Sequence, residues 1–386
     1  LMLEQELRAS VLASYGADAS QREELLAYNQ NIFEHNNSAL RLTFPLPSEP
    51  HVAIWQEYTD RAKVIGTFKV LQQALVQFQF PIQQSISQTE VYRAATRKGI
   101  SVENTVEATG LNLKNTEKLQ LFLHQTLAGR IPVLLAENRE DFVTLVQALT
   151  MHNEPRPIPA SMGACIVAGF NNWDRIRRYR RQWEAQKSQN FSEADWLNEF
   201  KQLIPQKHLY QDKFIILSGG FYSNVAATEI GLTDLEWQRI SLTIRLEHEC
   251  THYLTRRLFS SMRNNLLDEL IADYRGIVAA CGYYRSDWFL HFMGLESFPK
   301  YREGGRLQNY RGQPPLSEAS FKILQALVKN AAENLQRFHT EYANEIKTPN
   351  HQILVLAALT CLTLEELASD KAALQIKKNI DQLKNM

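Results

Sequence analysis

Apolar positions along this chain change their spacing twice, and each change marks a change in the kind of element. Up to about residue 130 the spacing is mainly helical. Ser20 and Glu23 form a candidate capping box, followed by an apolar stripe of Leu25, Leu26, Tyr28, Ile32 and Phe33. Pro45, Pro47 and Pro50 predict a loop, after which Val52 to Leu75 returns to helical spacing. Asn115 to Leu127 is predicted as a further helix, stopped by Gly129. Beyond residue 130, short apolar runs of strand length alternate with helical stretches. Ile131 to Ala136, Ala164 to Ala168 and Lys213 to Leu217 read as strands, with a hairpin continuation expected at Phe221 to Ala226. Asn138 caps a helix running to Leu149, and another begins near Asn172. From Thr233 the pattern is helical again. Thr233 and Glu236 form a second capping box, and no Gly or Pro interrupts residues 234–261. A helix over Leu266 to Ala280, a polar link from Gly304 to Pro315, and helices at 317–343, 351–360 and 363–384 complete the chain.

These elements predict an α+β, helix-rich fold in which a small mixed sheet packs on the helix at 234–261. The predicted regions are a helical N-terminal part (1–130), an α+β core (131–303) and a helical C-terminal part (304–386). The 386 residues suffice for two or three packed units.

Charge narrows the classes of partner. Lys+Arg and Asp+Glu are equal at 42 each, so no global field recruits nucleic acid or an anionic membrane. The one local hint of nucleic acid is the cluster from Arg175 to Arg181, with Trp173 and Trp183 beside it. It is read as a solvated helix face whose arginines pair with carboxylates. The cysteines, Cys165, Cys250, Cys281 and Cys361, are scattered and form no CxxC pair, which suits a reducing compartment. The acidic start from Leu1 to Leu7 lacks the features of a signal peptide, and no run of 18 apolar residues appears. A cytoplasmic protein without a membrane span is therefore expected.

Candidate chemistry concentrates in His248-Glu249-Cys250-Thr251-His252. Two histidines four apart on a helix leave the same face one turn apart, so two ring nitrogens can reach one ion. Glu249 stands about 100° around the helix, within reach of a water on that ion. Catalytic zinc needs a third protein ligand and an open fourth position. Downstream, Glu269 and Asp273 are again four apart on a helix. Glu269 can complete a His/His/Glu set while Asp273 orients one of the histidines. Asp268, beside Glu269, is the rival third ligand. Cys250 points away from His252 and is expected to pack in the core.

Over residues 245–273 the chain resembles the zincin metallopeptidases of the HExxH type, and within them the gluzincin, thermolysin-like group. The resemblance implies one zinc ion per chain held by His248, His252 and Glu269, with Glu249 as general base and Asp273 behind a ligand histidine. It implies hydrolysis of an amide bond in a peptide or protein substrate. The metzincin pattern does not fit, because Thr255 stands where its glycine would be and Leu258 where its third histidine would be. In the resembling group a strand edge near the active helix binds the substrate backbone, a role open to Phe214 to Val225. An oxyanion donor is also needed, for which Tyr283, Tyr284, His291 and Tyr310 are the downstream candidates. Two other classes use the same residues: a non-heme iron enzyme with a 2-His-1-carboxylate set, and a non-enzymatic protein with a structural metal.

Overall fold

The computed structural model describes residues 2–35, 43–103, 105–187, 191–260 and 265–385. The fold is α+β and helix-rich, with one small mixed sheet of four strands. The chain forms two compact units, Pro47–Gly220 and a second made of Leu1–Leu46 with Phe221–Met386. The boundaries therefore fall after Leu46 and after Gly220, whereas the sequence regions break at 130 and 303. The sheet belongs to the first unit and the helix carrying His248 to the second.

In the unit Pro47–Gly220 the strands are β1 (Gln120–Thr126), β2 (Gly129–Ala136), β3 (Ala164–Asn171) and β4 (Gln211–Ser218), in the order β1-β2-β4-β3. β2 and β4 are parallel; the two outer pairs are antiparallel. The central strands are near-continuous apolar runs because both of their faces are buried. Leu134, Ala136, Phe214 and Ile216 lie on one face, in a core with Trp55 and Tyr58 of the helix Val52–Ile65 and with Phe142 and Leu145 of Arg139–Thr150.

Three sequence expectations are corrected, two in this unit and one just beyond it. Asn115 to Leu127 is not a helix but a short 3₁₀ turn followed by β1. Leu121 and Phe122 pair with Leu134 and Val133 of β2, a long-range contact that local spacing does not report. The supposed helix stop is a hairpin turn instead. Thr126 Oγ1 accepts from the Ala128 amide at 2.8 Å and donates to the Gly129 carbonyl at 2.7 Å. Second, Phe221 to Ala226 is not a strand, because a 3₁₀ turn spans Tyr222–Asn224 and both Ser223 and Asn224 have positive φ. Third, β4 cannot add a substrate strand, since it is paired on both sides.

The arginine cluster on the helix Trp173–Gln186 is largely neutralised. Arg175 pairs with the buried Asp212 at 2.7 Å, Arg178 with Glu57 and Asp174, and Arg180 with Glu184 and Glu193.

The second unit is helical. The motif helix, Asp234–Phe259, starts at a reciprocal capping box: Thr233 Oγ1 accepts from the Glu236 amide, and Glu236 accepts from the Thr233 amide. It ends at Phe259, while position 261 of the expected span lies outside the described residues. The neighbouring helix, Leu266–Cys281, carries the acidic residues and starts at Asn265, whose side chain accepts from the Leu267 amide. The two helices approach closely at Gly276. A Cβ there would meet the Ile244 carbonyl oxygen at 2.7 Å, so only glycine lets the backbones come this near. At the amino terminus the capping box is Asp18 with Gln21 rather than Ser20 with Glu23, and the helix runs Ala19–Tyr28, stopping short of Ile32 and Phe33. Residues 2–35 join the carboxyl-terminal helices through Arg8 and the fully buried Glu365, 3.2 Å apart. Among the described residues no helix is long and apolar enough to cross a membrane.

Candidate metal centre

The motif helix brings His248 and His252 onto one face, with their Nε2 atoms 3.0 Å apart. Across from them, on the neighbouring helix, the Glu269 carboxylate offers one oxygen to each ring. Oε2 lies 3.5 Å from His248 Nε2, and Oε1 lies 3.5 Å from His252 Nε2. The three ligand-capable atoms all fall within 4.8 Å of one another. Tetrahedral ligands at about 2.05 Å from zinc stand about 3.3 Å apart, so the observed separations bracket what one ion requires.

The far side of each ring explains why its Nε2 is free to face inward. His248 Nδ1 lies 2.8 Å from Asp273 Oδ1, and His252 Nδ1 lies 3.1 Å from Asp268 Oδ2. An ionised carboxylate only accepts, so each Nδ1 carries the proton and each neutral ring turns a lone pair inward. Two lone pairs and a carboxylate then converge on one point, an arrangement that calls for a positive charge between them. Without a metal a proton answers that call. Burial alone lowers the His252 pKa, but the charges and hydrogen bonds of Asp268 and Glu269 outweigh it and hold the ring well above the ordinary histidine range. The donor set of two imidazoles and a carboxylate is one that binds zinc.

Asp268 and Glu269 thus take different positions. Glu269 faces the two Nε2 atoms, while Asp268 holds the outer nitrogen of His252 and accepts from Thr255 Oγ1 at 3.3 Å. Glu249 is buried beside the cluster. Burial pushes its carboxyl above the usual range, an effect reduced by the neighbouring His248 and His252 and reinforced by Glu269. Cys250 is buried in the core and takes no part in the ligand cluster.

Sequence reading missed two residues that hold His248. Tyr222, on the 3₁₀ turn, donates its hydroxyl to Asp273 Oδ1 at 2.5 Å and lies 3.0 Å from His248 Nδ1. The buried Arg306 donates to Asp273 Oδ2, to the Tyr222 hydroxyl at 3.0 Å and to Ser223 Oγ at 3.1 Å. Arg306 reaches this position because the link packs tightly against the end of the helix Ser286–Met293. A Cβ on Gly305 would meet the Gly294 Cα at 2.5 Å. Arg245 flanks the same tyrosine, donating to the Phe221 carbonyl at 3.0 Å. The single sequence signal for Arg306 is a lone arginine after two glycines.

Of the four oxyanion candidates, Tyr310 is the one that interacts with the cluster: burial and then the charge of Glu269 push its hydroxyl well above the ordinary tyrosine range. Tyr283 is 54% exposed, the Tyr284 hydroxyl is buried without a partner among the described residues, and His291 pairs with Glu229 at 3.2 Å.

If Asp273 fixes the His248 ring for metal binding, Asp273→Asn is expected to weaken zinc affinity by about 10–100-fold. The amide keeps the shape but loses the charge, and it turns an N–H toward either His248 or Arg306. Competition with a colorimetric chelator measures the change, and circular dichroism checks the fold. An unaltered affinity would show that Asp273 has no part in orienting the ring.

No curated protein and no solved structure matches this chain. A family model described as a family of unknown function, DUF7005, matches residues 10–371, and the chain belongs to that family.

Proposed function

We propose that the protein is a zinc-dependent hydrolase that cleaves an amide bond in a peptide or protein. One observation carries this reading: His248, His252 and Glu269 converge with their metal-binding atoms inward, while Glu249 occupies the same turn of helix. The likeness of residues 245–273 to the gluzincin group supports the same assignment. A bound zinc ion would acidify a water and polarise the substrate carbonyl. Glu249 takes the proton of the attacking water and passes it to the leaving amine. Its buried, raised carboxyl suits that exchange, because a base poised closer to neutrality also returns the proton readily. Tyr310 supplies a hydroxyl beside Glu269 for the developing oxyanion. Tyr222, Asp273 and Arg306 hold the His248 ring, and Asp268 with Thr255 holds that of His252.

The test is elemental analysis of protein purified without added ions, paired with a peptide-library cleavage screen. About one zinc per chain and chelator-sensitive cleavage are expected. Iron in its place, with oxygen-dependent chemistry, would replace the hydrolase by the 2-His-1-carboxylate oxidative class. Protein that retains no transition metal and takes none up would overturn both.

A further inference from the structure

In the unit Pro47–Gly220 the sheet ends on β3, which among the described residues pairs with β4 alone. The Ser218 amide donates to the Gly163 carbonyl at 2.8 Å, which fixes the alternation of the ladder. Peptide groups of Cys165 and Val167 turn toward β4, and those of Ala164, Ile166 and Ala168 turn toward the open edge. A groove of about 690 Å³ follows that edge. Every residue from Cys165 to Asn171 lines it. Side chains alternate between the two faces of a sheet, so an unbroken run of this kind can line one groove only where the groove runs along the backbone edge.

Exposed edges are usually blunted by charges or proline on the strand itself. β3 has neither: its sequence is Ala-Cys-Ile-Val-Ala-Gly-Phe-Asn. Its one irregularity is a bulge between Ala168 and Phe170, which leaves 164–168 in regular register. The charge stands instead on a helix that also lines the groove. Arg93 and Arg97 of the helix Glu90–Lys98 line the groove and are exposed, and neither has an ion-pair partner among the described residues. Among the described residues no Asp or Glu lines it. The arginines are four residues apart, about 6 Å along a helix axis. Alternate residues of an extended strand are about 6.8 Å apart, so carboxylates at positions i and i+2 of a strand match their spacing.

We propose that this groove binds an extended peptide, which adds to β3 as a fifth strand and presents acidic side chains at alternate positions to Arg93 and Arg97. The edge amides and carbonyls supply sequence-independent binding, and the two guanidinium groups supply selectivity for acid. A nucleic acid would meet the arginines but has no strand to add to the edge. A second copy paired through β3 would bring no carboxylate to them. The proposal stands independently of the metal centre.

The test uses the full chain and a fluorescein-labelled heptapeptide of alternating valine and glutamate, read by fluorescence anisotropy. The glutamine counterpart is expected to bind at least about tenfold more weakly. The double variant Arg93→Glu, Arg97→Glu should lose about tenfold or more for the acidic peptide; both positions are exposed, so the fold is retained. Ile166→Pro removes one outward N–H at an edge position, where proline is tolerated, and should weaken both peptides. If that variant loses its circular dichroism signal, the arginine variant alone decides. The proposal is overturned if neither peptide binds, or if the acidic peptide binds the arginine variant as well as the parent. It is also overturned if a mixed-sequence oligonucleotide binds through the arginines in place of the peptide, or if the parent is a dimer that Ile166→Pro dissociates.

Discussion

Glu249→Gln is expected to reduce turnover by about 10²–10⁴-fold while leaving the zinc content unchanged. The loss corresponds to about 3–5 kcal/mol of transition-state stabilisation. Glutamine has nearly the same shape but no basic oxygen, so it can neither accept the water proton nor deliver it to the amine. The atoms that could hold the ion belong to His248, His252 and Glu269, and Glu249 is not among them. Stability should be maintained, because a neutral amide replaces a carboxyl that is buried and already disfavoured in its charged form. The measurement pairs kcat on a cleaved library peptide with elemental analysis of the same preparation. Loss of both zinc and turnover would point to a structural role for Glu249. Full turnover with full zinc would remove it from the chemistry altogether.

How much of this centre was legible beforehand depended on whether its signal was local. The spacing of His248 and His252, the capping box at Thr233 and the absence of breakers all lie within one helix, so periodicity reports them directly. Glu269 and Asp273 were legible for the same reason, as an acidic pair one turn apart. The choice between Asp268 and Glu269 was not. Adjacent residues differ by about 100° around a helix, and which one faces the histidines depends on how two helices pack, with Gly276 setting their approach. Tyr222 and Arg306 lie on a 3₁₀ turn and a link, where no hydrophobic period exists to read. The misread strand at Gln120–Thr126 has a similar origin. Its leucines and phenylalanine satisfy a helical stripe as well as a strand, and only pairing with β2 separates the two.

Removing one protein ligand is expected to empty the centre. Zinc sites with four protein ligands bind with about 10–16 kcal/mol, so one ligand accounts for roughly 3–4 kcal/mol and its loss costs about 10²–10³-fold in affinity. Glu269→Gln and His252→Ala should both fall in that range, measured by chelator competition at fixed pH. Binding should also weaken as pH falls, because the ion must displace the proton that Asp268 and Glu269 hold on His252. The expected slope is about tenfold per pH unit for each proton displaced, below the raised pKa of that ring. The sign follows from competition: a folded-state pKa above the ordinary histidine value extends the proton's hold upward in pH, so zinc gains as the ring is deprotonated. Asp268→Asn separates the two contributions. It lowers the proton affinity of His252 and shifts the pH profile toward acid, whereas Glu269→Gln lowers the affinity across the whole range. Should Glu269→Gln retain zinc as tightly as the parent, the third ligand lies elsewhere, and the His/His/Glu centre is not the one this helix pair builds.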